Sequence, residues 1–127
     1  FPFTLCARAE NHIRGVTDLA DTIARLQAYQ EAGADVLYAP GLQTLDDIRS
    51  VVQAVDRPVN VLMGGATGLH TVAELEALGV KRISLGGAFA NAAFSAFIKA
   101  AKEVAEQGSF TFRNEFAPRG EIGRLLQ

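Results

Sequence analysis

The feature that most constrains the fold is an alternation that runs along the chain four times, in which a short apolar segment precedes a longer one with helical spacing. The apolar segments predict buried strands at residues 3–7, 35–39, 59–63 and 82–85. Glycine or proline follows each intervening helical segment, at Gly33, Pro58, Gly79 and Gly108. Since a helical crossover returns each strand in the same direction, the sequence predicts an α/β fold with parallel strands.

Two architectures are compatible with this alternation of strands and helices. A flavodoxin-like doubly wound sheet is complete at about the length of this chain, whereas a (β/α)8 TIM barrel needs about 250 residues and eight units. The length of 127 residues therefore favours the open sheet. The residues at the ends of the strands favour the barrel instead.

Composition and charge exclude several classes of partner. The net charge is -2, and the basic residues are scattered, so neither nucleic acid nor an anionic membrane surface is an expected partner. No apolar run is long enough to span a bilayer, and the first residues lack the features of a signal peptide, which favours a cytoplasmic location. The single cysteine, Cys6, is expected to be a small buried residue of the first strand.

Polar residues directly after the first apolar segment are the first candidates for a site, because α/β folds bind ligands at the carboxyl ends of their strands. Arg8 offers a bidentate guanidinium suited to a carboxylate or phosphate, and Glu10 lies two residues later. The alternative is an Arg8–Glu10 ion pair that only orients the loop, and both interpretations can hold together. His12 is more typical of a solvated surface residue than of an acid or base.

The third and fourth apolar segments lead into glycine-rich loops. Gly64 and Gly65 follow the third, Gly86 and Gly87 follow the fourth, and such loops of barrels frequently bind phosphate. The alternative is that these glycines only make tight turns. Asn60, inside the third segment, is expected to project into the mouth of a barrel and bind substrate, because an unpaired buried amide is costly.

The sequence shows neither a nucleophilic triad nor a cluster with metal-ligand spacing. Cys6 has no partner that would activate it, and the serines have no paired base. Asp46 and Asp47 begin a predicted helix, where carboxylates favour the helix dipole. We therefore expect no complete metal site within this chain.

Three motifs resemble the second half of enzymes of the isocitrate lyase/phosphoenolpyruvate mutase superfamily. They are residues 5–11 (LCARAEN), 18–23 (DLADTI) and 29–35 (YQEAGAD), and residues 58–61 (PVNV) and the Gly86-Gly87 helix also match. The resemblance covers about residues 3–106, which is nearly the whole chain.

The resemblance implies that the apolar segments are strands five to eight of a TIM barrel, with residues 1–108 as the C-terminal half-barrel and 109–127 as a tail. Phe110, Phe112 and Phe116 make the tail apolar, and relatives send C-terminal helices to a neighbouring subunit. A homo-oligomer, dimer or tetramer, is therefore expected, with the tail packed on a partner or on the rest of the barrel. The alternative is a flavodoxin-like monomer with the phenylalanines folded back.

The function that the resemblance implies is cleavage or rearrangement of a C–C or P–C bond next to a 2-oxo acid, through an enolate. Arg8, with Glu10, would be catalytic, and Arg8 would hold the carboxylate or phosphonate of the substrate. Asn60 and the loop glycines, Gly64, Gly65, Gly86 and Gly87, would complete the substrate site. Mg2+ would be the cofactor, with its ligands in the first half of the barrel.

Two departures from the superfamily pattern leave the substrate open. Relatives that cleave 2-methylisocitrate have a glutamate where this sequence has Pro40, and many have an arginine near Asn91. The sequence is more similar to a bacterial branch of carboxyphosphonoenolpyruvate mutase-like or oxaloacetate decarboxylase-like proteins. The competing hypothesis is a truncated, non-catalytic fragment, or a flavodoxin-like binding domain.

Overall fold

The computed structural model describes residues 1–64 and 69–125. The chain divides into two compact units, Phe1–Ala88 and Phe89–Gln127. The predicted domain division after residue 108 stays a prediction. No helix in the described part of the chain has both the length and the apolar character needed to cross a membrane.

The first unit is a parallel sheet of four strands connected by helices. Its strands are β1 (Cys6–Arg8), β2 (Val36–Tyr38), β3 (Val59–Leu62) and β4 (Arg82–Ser84), and its helices are α1 (Leu19–Glu31), α2 (Leu45–Ala54) and α3 (Val72–Ala77). The strands lie in the sequential order β1-β2-β3-β4. A flavodoxin-like sheet would place its first strand between the second and third, so the order contradicts that alternative and fits consecutive units of a TIM barrel. The predicted α/β fold is confirmed.

The strands are shorter than the apolar segments that predicted them. β1 begins at Cys6 instead of residue 3, and the Phe3 side chain is 72% exposed. Arg8 is consequently the last residue of β1 rather than the first residue after it. Cys6 is only half-buried, contrary to the prediction, because it lies on an edge strand and alternates with Ala7, which packs against the core.

Side chains at the predicted helix starts satisfy the free backbone amides there. The Thr44 hydroxyl accepts a hydrogen bond from the Asp47 amide at 3.1 Å. Thr71 and Glu74 form a capping box: the Glu74 amide donates to Thr71 Oγ1 at 3.2 Å, and the Thr71 amide donates to Glu74 Oε2 at 2.7 Å. The hydrogen bonds that the Thr71 amide and the Thr71 hydroxyl donate to the Glu74 carboxylate lower the pKa of that carboxyl.

The two faces of the sheet differ in character, because successive side chains of a strand project to opposite sides. One face joins the hydrophobic core and carries Leu37 and Val59, together with residues of α1, α2 and α3, among them Leu26, Ile48, Val51 and Leu75. The other face carries the residues that alternate with these. The core therefore holds the sheet in place while leaving the second face available for polar side chains.

The second unit continues α4 (Ala88–Lys102) into a wider π-helical turn, Glu103–Gln107, which ends at Gly108 with a φ of 64°. A 3-10 turn, Thr111–Glu115, and α5 (Arg119–Leu125) follow. The Glu103 carboxylate accepts hydrogen bonds from the hydroxyl of Ser109 and from the amides of two later residues, which lowers the pKa of Glu103. The tail is thereby folded locally.

The aromatic side chains of the tail remain largely uncovered. Phe110 and Phe116 are 59% and 64% exposed, and the rings of Phe112 and Phe116 meet edge to face with centroids 5.8 Å apart. Their predicted packing on another chain, or on the rest of a barrel, stays a prediction.

Candidate active site

The polar face of the sheet carries one continuous row of four side chains, one from each strand. Arg8 pairs with Tyr38, Tyr38 with Asn60, and Asn60 with Arg82 in the strand register. Arg8 and Tyr38 are the last residues of β1 and β2. The row thus reaches the carboxyl ends of the first two strands, where ligands of α/β folds bind.

Arg8 is held by two neighbours and is still partly open to solvent. Its Nη2 atom lies 2.7 Å from Glu10 Oε1, and its guanidinium carbon lies 4.8 Å from the centroid of the Tyr38 ring. The side chain is 47% exposed. The ion pair considered as the alternative role of Arg8 is present, and the guanidinium retains further N–H donors beyond the one that meets Glu10.

Beside Arg8 lies an open cavity of about 410 Å³, a volume suited to a small ligand. Its lining holds three guanidinium groups and two carboxylates, an excess of positive charge that favours an anion. The lining residues are Arg8, Glu10, Asn11, Arg14, Val16, Asp21, Arg25 and Tyr29.

Both carboxylates of this cavity are engaged by their surroundings. Glu10 is shared between Arg8 and Arg14, the latter at 3.4 Å. Asp21 Oδ2 accepts from Asn11 Nδ2 and from Arg25 Nε, each at 2.7 Å. The hydrogen bond that Arg25 donates to Asp21, together with the negative charge of Asp21, raises the pKa of Arg25. The acidic groups of the cavity therefore orient arginines instead of standing free.

Asn60 is the most buried member of the row, at 1% exposure. Its Nδ2 donates to Ser84 Oγ at 3.0 Å, and Ser84 Oγ donates in turn to the Val61 carbonyl at 3.4 Å. The Asn60 Oδ1 atom has no hydrogen-bond partner among the described residues. An unpaired buried acceptor is costly, so this atom is a candidate to receive a hydrogen bond from a ligand.

Ser84 is a residue of this site that sequence reasoning missed. The available signal was its position in the fourth apolar segment, two residues after Arg82 and hence on the same face of β4. Serine inside a strand is too common a feature to be selected without the register that places it beside Asn60.

The expectation that His12 is a solvated surface residue is wrong. The His12 side chain is half-buried, and its Nε2 atom is buried with no hydrogen-bond partner within residues 1–64 and 69–125. The cause is the Pro40-Gly41 loop after β2, where Gly41 has a φ of 97° and a Cβ added to it would lie 3.0 Å from the Cβ of His12. The two loops that follow β1 and β2 therefore pack directly against each other.

The structure gives two of the candidate glycines a conformational role. A Cβ on Gly64 would lie 2.2 Å from the Leu85 carbonyl oxygen, and Gly86 has a φ of 53°. Gly65 lies outside the described residues. These backbone requirements explain glycine at positions 64 and 86 without a ligand. The role of Gly64, Gly86 and Gly87 in binding substrate stays a prediction.

Replacing Gly64 by alanine is expected to destabilise the first unit by about 2 kcal/mol, since the new methyl group must displace the Leu85 backbone. Thermal unfolding followed by circular dichroism measures the effect. Gly123→Ala in α5 is the matched control, because nothing lies within 4 Å of a Cβ there, and its melting temperature should stay equal or rise. An unchanged melting temperature for Gly64→Ala would show that the approach to Leu85 is not required.

Within residues 1–64 and 69–125, no three His, Cys, Asp or Glu side chains come together in an arrangement able to hold a metal ion. Glu10 and Asp21, the carboxylates of the cavity, are already bonded to arginine. The described residues of this chain therefore do not fit a Mg2+ site by themselves.

Comparison with known proteins agrees with this geometry. The family model for phosphoenolpyruvate phosphomutase matches residues 1–105. A crystal structure from Burkholderia cenocepacia J2315, provisionally described as a lyase/mutase, is 56% identical and superimposes with a TM-score of 0.92, covering 99% of this chain and 45% of that one.

Two curated relatives are more distant. The chloroplastic carboxyvinyl-carboxyphosphonate phosphorylmutase of Arabidopsis thaliana is 31% identical over 110 residues, which are 84% of this chain and 32% of that protein. Oxaloacetate decarboxylase 2 of Pseudomonas fluorescens (strain Pf0-1) is 32% identical over 102 residues, which are 80% of this chain and 34% of the relative. The chain thus spans about a third of the length of these relatives.

The sequential parallel sheet and the solved relative place the chain in the α/β class, with four consecutive units of the TIM-barrel type. The chain belongs to the phosphoenolpyruvate phosphomutase family, within the isocitrate lyase/phosphoenolpyruvate mutase superfamily. Its relatives are lyases and mutases.

Proposed function

We propose that this chain supplies the C-terminal half of the barrel, and the substrate-anion subsite, of an enzyme that cleaves or rearranges a C–C or P–C bond next to a 2-oxo acid through an enolate. The single observation that carries the proposal is Arg8, which stands at the carboxyl end of β1 in a cavity with an excess of positive charge. The names of the relatives support a substrate such as oxaloacetate or a phosphonate.

The residues of this chain have separate tasks in the proposal. Arg8 binds a carboxylate or phosphonate oxygen of the substrate and neutralises its charge, while Glu10 holds the guanidinium from one edge. Asn60 offers its unpaired Oδ1 to a donor of the substrate or of an ordered water. Gly64 follows the carboxyl end of β3, and Gly86 and Gly87 follow the carboxyl end of β4.

We propose that the enzyme uses Mg2+ but that the described residues of this chain do not hold it. Since the described residues do not form a site for it, we propose that its ligands come from other polypeptide that completes the barrel. We propose in addition that the complete enzyme is a cytoplasmic homo-oligomer, a dimer or tetramer, because exposed strand edges and apolar helices favour assembly.

The test is turnover by the full-length protein that contains this chain. Oxaloacetate and phosphonopyruvate are assayed separately, each with Mg2+ and with EDTA, and the isolated chain is assayed in parallel. We expect metal-dependent turnover of one substrate by the full-length protein and none by the isolated chain. Absence of turnover with both substrates would favour a non-catalytic role, and EDTA-resistant turnover would contradict the magnesium requirement.

A further inference from the structure

Tyr38 combines deep burial with a position on the polar face of the sheet. It is 8% exposed, yet it does not belong to the core cluster that joins the sheet to its helices. It pairs in register with Arg8 and, on its other side, with Asn60. The ring therefore lies between the two side chains that the proposed function assigns to the substrate.

The contact between Tyr38 and Arg8 has the geometry of a cation–π interaction. The guanidinium carbon lies over the ring at 4.8 Å from the centroid, within the range in which the negative face of an aromatic ring attracts a cation. The ring is fixed by burial, whereas the Arg8 side chain is 47% exposed. The buried Tyr38 ring thus supports the partly exposed Arg8 side chain.

Glu10 by itself is a weak constraint on the orientation of Arg8. It meets one edge of the guanidinium at 2.7 Å, is 39% exposed, and shares its carboxylate with Arg14. An ion pair this exposed is screened by solvent and permits rotation of the guanidinium plane about the contact. Contact with the ring face restricts that remaining rotation, so the edge and face contacts together select one orientation.

We propose that Tyr38 is a positioning residue, which holds the Arg8 guanidinium flat so that its free N–H groups are presented to the substrate anion. The inference rests on the proposed function, in which Arg8 binds that anion. An apolar residue of similar size would fill the same space without attracting the cation, so the aromatic ring itself is what the arrangement requires.

The experiment varies the electron density of the ring while preserving its shape. In the full-length protein, residue 38 is replaced by phenylalanine and by 3,4,5-trifluorophenylalanine, and Tyr38→Leu is made as a third variant. The Kd for oxalate, a small dicarboxylate probe, is measured by calorimetry with Mg2+ present. Kinetic constants are measured on the substrate that the turnover assay identifies.

Tyr38→Phe is expected to keep the Kd within about twofold, since it retains the ring. The trifluorinated ring and Tyr38→Leu are expected to weaken oxalate binding by about five- to tenfold, the order expected for loss of a partly desolvated cation–π contact. KM should rise more than kcat falls. Because fluorination leaves the shape of the ring nearly unchanged, the result does not depend on whether Tyr38→Leu folds.

Arg8→Met distinguishes failure of the inference from failure of the proposed function. If Arg8→Met binds oxalate as the wild type does, Arg8 is not the anion ligand and the proposed role of the site fails. If Arg8→Met loses binding while the fluorinated ring binds normally, the proposed function stands and the positioning role of Tyr38 is overturned. If Arg8 binds the anion and Tyr38 acts only through Arg8, Tyr38→Leu should have no further effect on oxalate binding in the Arg8→Met background.

Discussion

In the complete enzyme that we propose, replacing Arg8 by lysine is expected to lower kcat/KM by about 100-fold. Lysine keeps the charge, but its ammonium is a point charge that cannot reproduce two parallel hydrogen bonds to a carboxylate or phosphonate. A hydrogen bond to a charged group contributes about 1.5–3 kcal/mol, and each 1.4 kcal/mol is a factor of ten. Steady-state kinetics on the substrate identified by the turnover assay measures the change.

The matched control is Arg49→Lys in α2. Arg49 forms an ion pair with Asp46 on the exposed surface of the helix, where such pairs contribute little. The kcat/KM of the Arg49→Lys variant should remain within about twofold of the wild type. If Arg8→Lys is equally mild, Arg8 does not bind the substrate through a bidentate contact.

Replacing Asn60 by leucine is expected to abolish most activity while leaving the fold intact. Leucine has the same branched arrangement of side-chain heavy atoms, and it removes a buried acceptor, Oδ1, that has no partner among the described residues. Because burying an unpaired polar atom costs about 1–3 kcal/mol, its removal should offset the lost hydrogen bond to Ser84. We expect the free energy of unfolding to stay within about 1 kcal/mol of the wild type.

The activity of Asn60→Leu should fall by about 100-fold, the loss expected when a hydrogen bond to a charged or reacting group disappears. Thr22→Val is the contrasting variant, because Thr22 is also fully buried but its hydroxyl is satisfied by the Asp18 carbonyl at 2.8 Å. Thr22→Val should lose about 1 kcal/mol of stability and no activity. Asn60→Leu with full activity would remove Asn60 from the substrate site.

Interactions between residues a few positions apart could be predicted from the sequence. The capping box of Thr71 and Glu74 and the left-handed glycines that follow α1 and α3, Gly33 and Gly79, depend on residues a few positions apart. Interactions of this range are encoded in spacing alone. The same reasoning placed Arg8 and Glu10 near each other, and the structure confirms their ion pair.

The boundaries of β1 show where local reasoning fails. The apolar segment at residues 3–7 predicted a strand from Phe3, but pairing with β2 begins only at Cys6, opposite Val36. β1 lies at the edge of the sheet and pairs with β2 alone, so the first residue of β2 decides where β1 starts. His12 was misjudged for a related reason, because the loop that covers it comes from residues 40–41, about thirty positions away in the sequence.

The sequence by itself determined that the chain is a repeated strand–helix protein of a recognisable superfamily, since periodicity and motif order are properties of neighbouring residues. Only the tertiary structure decided the strand order, and with it the exclusion of a flavodoxin-like sheet. It also decided which side chains share the polar face. The row of Arg8, Tyr38 and Asn60 exists because hydrogen bonding between strands fixes the register, and that register joins residues from about 20 to 30 positions apart.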